Sequence, residues 1–82
     1  MEDTLGKRIV RYRKQMGRTQ DQLAERLGVT AQAVSKWESG TSIPDLDKIL
    51  KLSTLFGVST DYLLRDEIED TLYMEVEMPE DN

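Results

Sequence analysis

A chain of 82 residues is long enough for one small domain and too short for two that each bury a core. It has no cysteine and no histidine, which removes disulfides, thiolate metal sites and the commonest general base together. The net charge of -5 averages two unlike parts: residues 1–65 carry all 11 Lys and Arg, whereas residues 66–82 carry eight acids and no base.

Helix signals then recur along the body. In TLGKRIVRYRKQMG, Leu5, Ile9, Tyr12 and Met16 fall on one helical face, with Thr4 as the cap and Gly17 as the stop. In TQDQLAERLG, Thr19 caps a second helix, Leu23, Ala24 and Leu27 form its apolar side, and Gly28 ends it. Thr30 caps a third helix, about residues 31–39, that Gly40 closes. Pro44 precedes an Asp45 cap, after which Leu46, Ile49, Leu50, Ser53 and Phe56 make one stripe ending at Gly57. A last short helix starts behind Ser59 or Thr60 and buries Leu63.

These elements predict an all-α, compact five-helix domain over residues 1–65. Its expected core draws on Leu5, Ile9, Tyr12, Leu23, Ala24, Leu27, Val29, Val34, Trp37, Ile43, Leu46, Ile49, Leu50, Phe56 and Leu63. Arg8, Arg11, Lys48 and Lys51 read as a solvated helix face. No apolar run approaches the roughly 18 residues of a membrane span. MEDTLGKRIV lacks a signal-peptide pattern, so a cytoplasmic setting without membrane contact is expected.

Function concentrates in residues 20–39, QDQLAERLGVTAQAVSKWES. Ala24 is small enough for the next helix to cross closely, Gly28 suits a positive φ, and Val29, Val34 and Trp37 plug the angle between the two helices. Advancing 100° per residue from Val34 places Trp37 on the core side and Gln32, Ser35, Lys36 and Ser39 on the opposite side. All four outward side chains donate hydrogen bonds and none is acidic; Glu38 lies between the faces. Trp37 is thereby a core residue and not a base-stacking platform. The carboxylate pairs Asp21 with Glu25 and Asp45 with Asp47 read as helix-start acids complementing the dipole rather than catalytic groups. No enzyme, metal site or cofactor is expected.

The run TQDQLAERLGVTAQAVSKWESGTSIPDLDKILKLSTLFGVSTDYLL resembles the Cro/C1-type helix-turn-helix family, often called the XRE family, of bacterial and phage transcriptional regulators. With the preceding helix, the likeness covers about residues 4–65, and Ile49 and Leu52 occupy its middle apolar positions. It implies a lambda-repressor-like domain that binds double-stranded operator DNA as a homodimer, with helix 3 in the major groove. Carried over by position, it implies base contacts from Ala31, Gln32, Ser35 and Lys36 and a phosphate contact from Gln20. Thr30, Ser39, Thr41 and Ser42 are expected to hold the flanking backbone, and Arg13, Lys14 and Arg18 to supply further phosphate contacts. A sequence-specific regulator, most simply a repressor, is the leading reading. An antitoxin of the same fold, or an interaction module that no longer binds DNA, is the alternative.

The tail DEIEDTLYMEVEMPEDN differs from the body. In TLYMEVEM, Leu72, Met74, Val76 and Met78 alternate with Tyr73, Glu75 and Glu77, the period of a half-buried strand. Three readings stay open for residues 66–82: a dimerisation strand, a disordered acidic terminus that offers a protein partner its charge, or a linker to a further domain.

Overall fold

The computed structural model describes residues 3–65, and those residues are wholly helical and turn. The elements are α1 (Leu5–Gln15), α2 (Gln20–Leu27), α3 (Ala31–Ser39), α4 (Leu46–Phe56) and α5 (Thr60–Leu63). The expected strand in residues 71–78 lies outside the described residues.

Each helix begins where a side-chain oxygen satisfies an orphan backbone donor. Thr4, Thr19, Thr30, Asp45 and Ser59 all accept from the backbone N–H three residues on. At α2 the arrangement is reciprocal, because Gln22 Oε1 accepts from the Thr19 N–H at 2.9 Å. The α2–α3 turn is tight because Gly28 adopts φ +71°, a conformation strained for any residue with a Cβ.

The core gathers Leu5, Ile9, Leu23, Ala24, Leu27, Val34, Trp37, Ile49, Leu52 and Leu63, with Val29, Leu55, Phe56 and Leu64 packed around it. Helix α3 rests on both α1 and α2, and α4 closes the base. Tyr12 is half-buried and tilts against Phe56 at a ring-centroid distance of 5.2 Å.

Three expected core residues are corrected. Ile43 is 62% exposed, Leu46 70% and Leu50 50%. Helix α4 is apolar on most sides, so periodicity leaves its rotation open. Relative to Ile49 at 0°, the buried side takes in Phe56 at about -20° and Leu52 at about -60°, while Leu46 and Leu50 fall at about +60° and +100°.

Arg8 is corrected too. It is 3% exposed, and its Nη1 donates to the Leu63 carbonyl at 3.0 Å while its Nη2 donates to the Asp3 carbonyl at 3.0 Å. Its guanidinium thus ties α1 to the end of α5, where carbonyls lack helical partners. Arg11, as expected, stays exposed; its hydrogen bond to Asp3 holds that carboxyl below its ordinary range.

Candidate functional site

The site is the outward side of α3 with its two flanks. Val34 and Trp37 are buried against α1 and α2, which fixes the helix about its axis. Gln32, Ser35 and Lys36 are consequently exposed, and so is Ser39 at the helix end. Ala31, short and half-buried, packs at the edge of the core.

Glu38 is the sole acid of α3, and its side chain is turned away from solvent. It is 7% exposed and Arg13 is 12% exposed, and the two pair at 2.6 Å between Arg13 Nε and Glu38 Oε2. Arg13 Nη2 donates to Glu38 Oε1 at 3.2 Å, and Gln20 Nε2 donates to the same oxygen at 2.9 Å. One carboxylate therefore joins α1, the start of α2 and the end of α3. It also leaves the outward side of α3 with Lys36 as its only charge, a surface compatible with a polyanion.

This network changes what two candidates have to offer. Arg13 also donates to the Arg18 carbonyl at 2.9 Å, so its guanidinium is held inside the network rather than presented as a free cation. Gln20 spends one amide hydrogen on Glu38 and keeps the other, beside backbone donors that the first turn of α2 leaves open. Lys14 is exposed and Arg18 half-exposed near the same corner.

The other flank is organised around one carbonyl. The Lys36 oxygen receives the Thr41 N–H at 2.9 Å, the Ser42 N–H at 3.3 Å and Ser39 Oγ at 3.1 Å. Ser39 Oγ and Thr41 Oγ1 lie 2.8 Å apart. Thr30 accepts from the Ala33 N–H at 3.1 Å at the opposite end of α3. Thr30, Ser39, Thr41 and Ser42 are all exposed. Gln20, Gln32, Ser35, Lys36 and these hydroxyls thus form a polar surface on a rigid frame.

Sequence reasoning missed Gly6 and the partnership of Glu38. A Cβ at Gly6 lies 2.6 Å from the carbonyl oxygens of both Trp37 and Glu38, so α1 and α3 touch backbone to backbone there. No local signal marks either feature, since both join residues 18 or more positions apart.

Residues 9–63 match the family model described as helix-turn-helix. The chain is 46% identical over 66 residues to the HTH-type transcriptional regulator ImmR of Bacillus subtilis, covering 79% of this chain and 52% of that protein. It is 43% identical over 60 residues to the SPbeta prophage-derived regulator YonR of the same organism, covering 73% and 56%. The chain thus spans about half the length of these relatives. Among solved structures, the P22 c2 repressor in complex with a synthetic operator superposes with a TM-score of 0.73 at 35% identity, covering 77% of this chain and 96% of that one. SinR in complex with DNA gives 0.66 at 33% identity, covering 73% and 97%.

Proposed function

We propose, from the premise that this chain belongs to the Cro/C1-type helix-turn-helix family, that it is a sequence-specific DNA-binding transcriptional regulator acting as a repressor. Residues 1–65 form its DNA-binding unit. The observation that carries the reading is the division of α3, with Val34 and Trp37 sealed in the core and Gln32, Ser35 and Lys36 left to enter a major groove. The likeness to the P22 c2 repressor bound to a synthetic operator, to SinR bound to DNA, and to relatives named as regulators supports it.

In this reading Gln32 pairs with an adenine edge, Lys36 donates to guanine O6 and N7, and Ala31 and Ser35 complete the base contacts. Gln20 and the α2 N-terminus receive a phosphate on one flank, with Lys14 and Arg18 behind them. Thr30, Ser39, Thr41 and Ser42 hold the backbone on the other. Arg13 acts by positioning Gln20 through Glu38. The fold family is one of DNA-binding regulators rather than enzymes, and no described helix is long and apolar enough to cross a membrane.

The test is a genome-fragment selection followed by binding titrations on the best site and on random duplex. Lys36→Ala is expected to cost about 1–3 kcal/mol on the selected site and to relax one base preference. Gln20→Ala is expected to weaken both duplexes alike. Equal losses from Lys36→Ala on both duplexes make Lys36 a phosphate contact, and failure to bind any fragment at low salt removes the function.

The active form is a homodimer on a near-palindromic operator, its half-sites centred about 34 Å apart. The exposed Ile43 and Leu46, directly after the recognition segment, supply an apolar contact for a second copy. Leu46→Glu is expected to weaken self-association about tenfold or more, near 1.4 kcal/mol, while leaving monomer unfolding unchanged. Sedimentation at several concentrations reads this, and an unaltered dimer places the interface elsewhere.

A further inference from the structure

A groove of about 740 Å³ runs between the ends of α1 and α2 and the flank of α4, away from the outward side of α3. Its walls include the apolar side chains of Met16, Leu27, Leu50 and Leu55. Met16 and Leu50 are exposed there, unlike core residues. Along its margin stand Arg18, Arg26 and Lys51, with Asp47 the single acid. Asp47 is already engaged by Lys48 at 3.0 Å and by Lys51 at 3.6 Å. Arg26 has no ion-pair partner among the described residues, and Arg18 Nε is shut off from solvent with no acceptor there. The groove therefore combines an apolar floor with a margin that holds three cations to one acid.

We infer that this groove seats the chain's own acidic segment, residues 71–78. TLYMEVEM has the matching chemistry: in a strand-like conformation Leu72, Met74, Val76 and Met78 share one side while Glu75 and Glu77 share the other. The apolar side covers Met16 and Leu50, and the carboxylates reach the arginine and lysine margin. Charge favours this occupant, because residues 66–82 hold eight acids and no base.

Six residues, 66–71, join the described body to this segment and span at most about 20 Å. Arg18 belongs both to this margin and to the phosphate set proposed above. Where the DNA-binding reading holds, duplex and tail draw on the same cation. The seating itself does not depend on that reading.

The absence of cysteine makes a single spin label straightforward to place in the full chain. With a nitroxide on Met78→Cys, the amide signals of Met16, Leu50 and Leu55 are expected to lose most of their intensity in dilute protein. Adding Arg26→Glu and Lys51→Glu, both exposed positions, is expected to restore them. Intensity loss spread elsewhere, or none, overturns the proposal. Loss that appears only when labelled copies are mixed with unlabelled isotope-enriched ones overturns it in favour of docking on a second copy. No DNA enters the measurement, so its failure is distinct from failure of the proposed function.

Discussion

Glu38→Ala is expected to lower the unfolding free energy by about 3–5 kcal/mol, the range for removing one member of a buried ion pair. Arg13 is 12% exposed and loses both of its bonds to the carboxylate, leaving a guanidinium charge with only the Arg18 carbonyl beside it. Gln20 loses its acceptor in the same step. For a domain of this size each kcal/mol shifts Tm by about 4–8 °C, so the loss consumes a large share of total stability. Glu38→Gln should cost less, because an amide oxygen still accepts one of the hydrogen bonds. Removing both charges with Arg13→Met and Glu38→Leu should recover much of the loss, since a packed apolar pair avoids the desolvation of two ions. Thermal and urea unfolding of the four proteins check this. A single-variant loss below about 1 kcal/mol, the scale of an exposed pair, removes the network from the list of things that hold α3.

What the sequence disclosed was whatever depends on near neighbours. The caps at Thr4, Thr19, Thr30 and Asp45 each act over three residues, so residue type and position sufficed. The division of α3 was legible for the same reason, since Val34 and Trp37 are the only large apolar residues in AQAVSKWES and a period of 3.6 then places the rest. Helix α4 resisted because six of its residues are apolar, namely Leu46, Ile49, Leu50, Leu52, Leu55 and Phe56. A stripe centred near Leu46 and Ile49 and one centred near Ile49 and Leu52 fit that pattern equally well, and only packing against the rest of the bundle selects the second. The expected core omitted Leu52, which is fully buried, although the family likeness assigned it a middle apolar position. Arg8 and Glu38 were hidden because a charged residue reads as solvent-facing until its partner is known. Their partners, Leu63 and Arg13, lie 55 and 25 positions away.

Gly6→Ala brings two effects into opposition, and the structure decides between them. Inside an exposed helix the change should stabilise by about 1 kcal/mol, because alanine loses less backbone entropy than glycine. At this position the added carbon stands 2.6 Å from the Trp37 and Glu38 carbonyl oxygens and 3.1 Å from the Glu38 carbonyl carbon. These are backbone atoms of α3, and no side-chain rotation relieves the overlap. Either α1 withdraws from the core at Leu5 and Ile9, or α3 shifts and disturbs Trp37. Overpacking of this kind costs typically 1–3 kcal/mol and occasionally more, so the net expectation is destabilisation by about 2 kcal/mol. Urea unfolding with an unchanged m-value reads that loss directly. The same displacement moves the surface carrying Gln32, Ser35 and Lys36, so a folded Gly6→Ala protein should also bind its selected duplex less tightly at temperatures well below its Tm. A variant that gains stability shows that the two helices do not meet backbone to backbone, and the frame argued for α3 then fails with it.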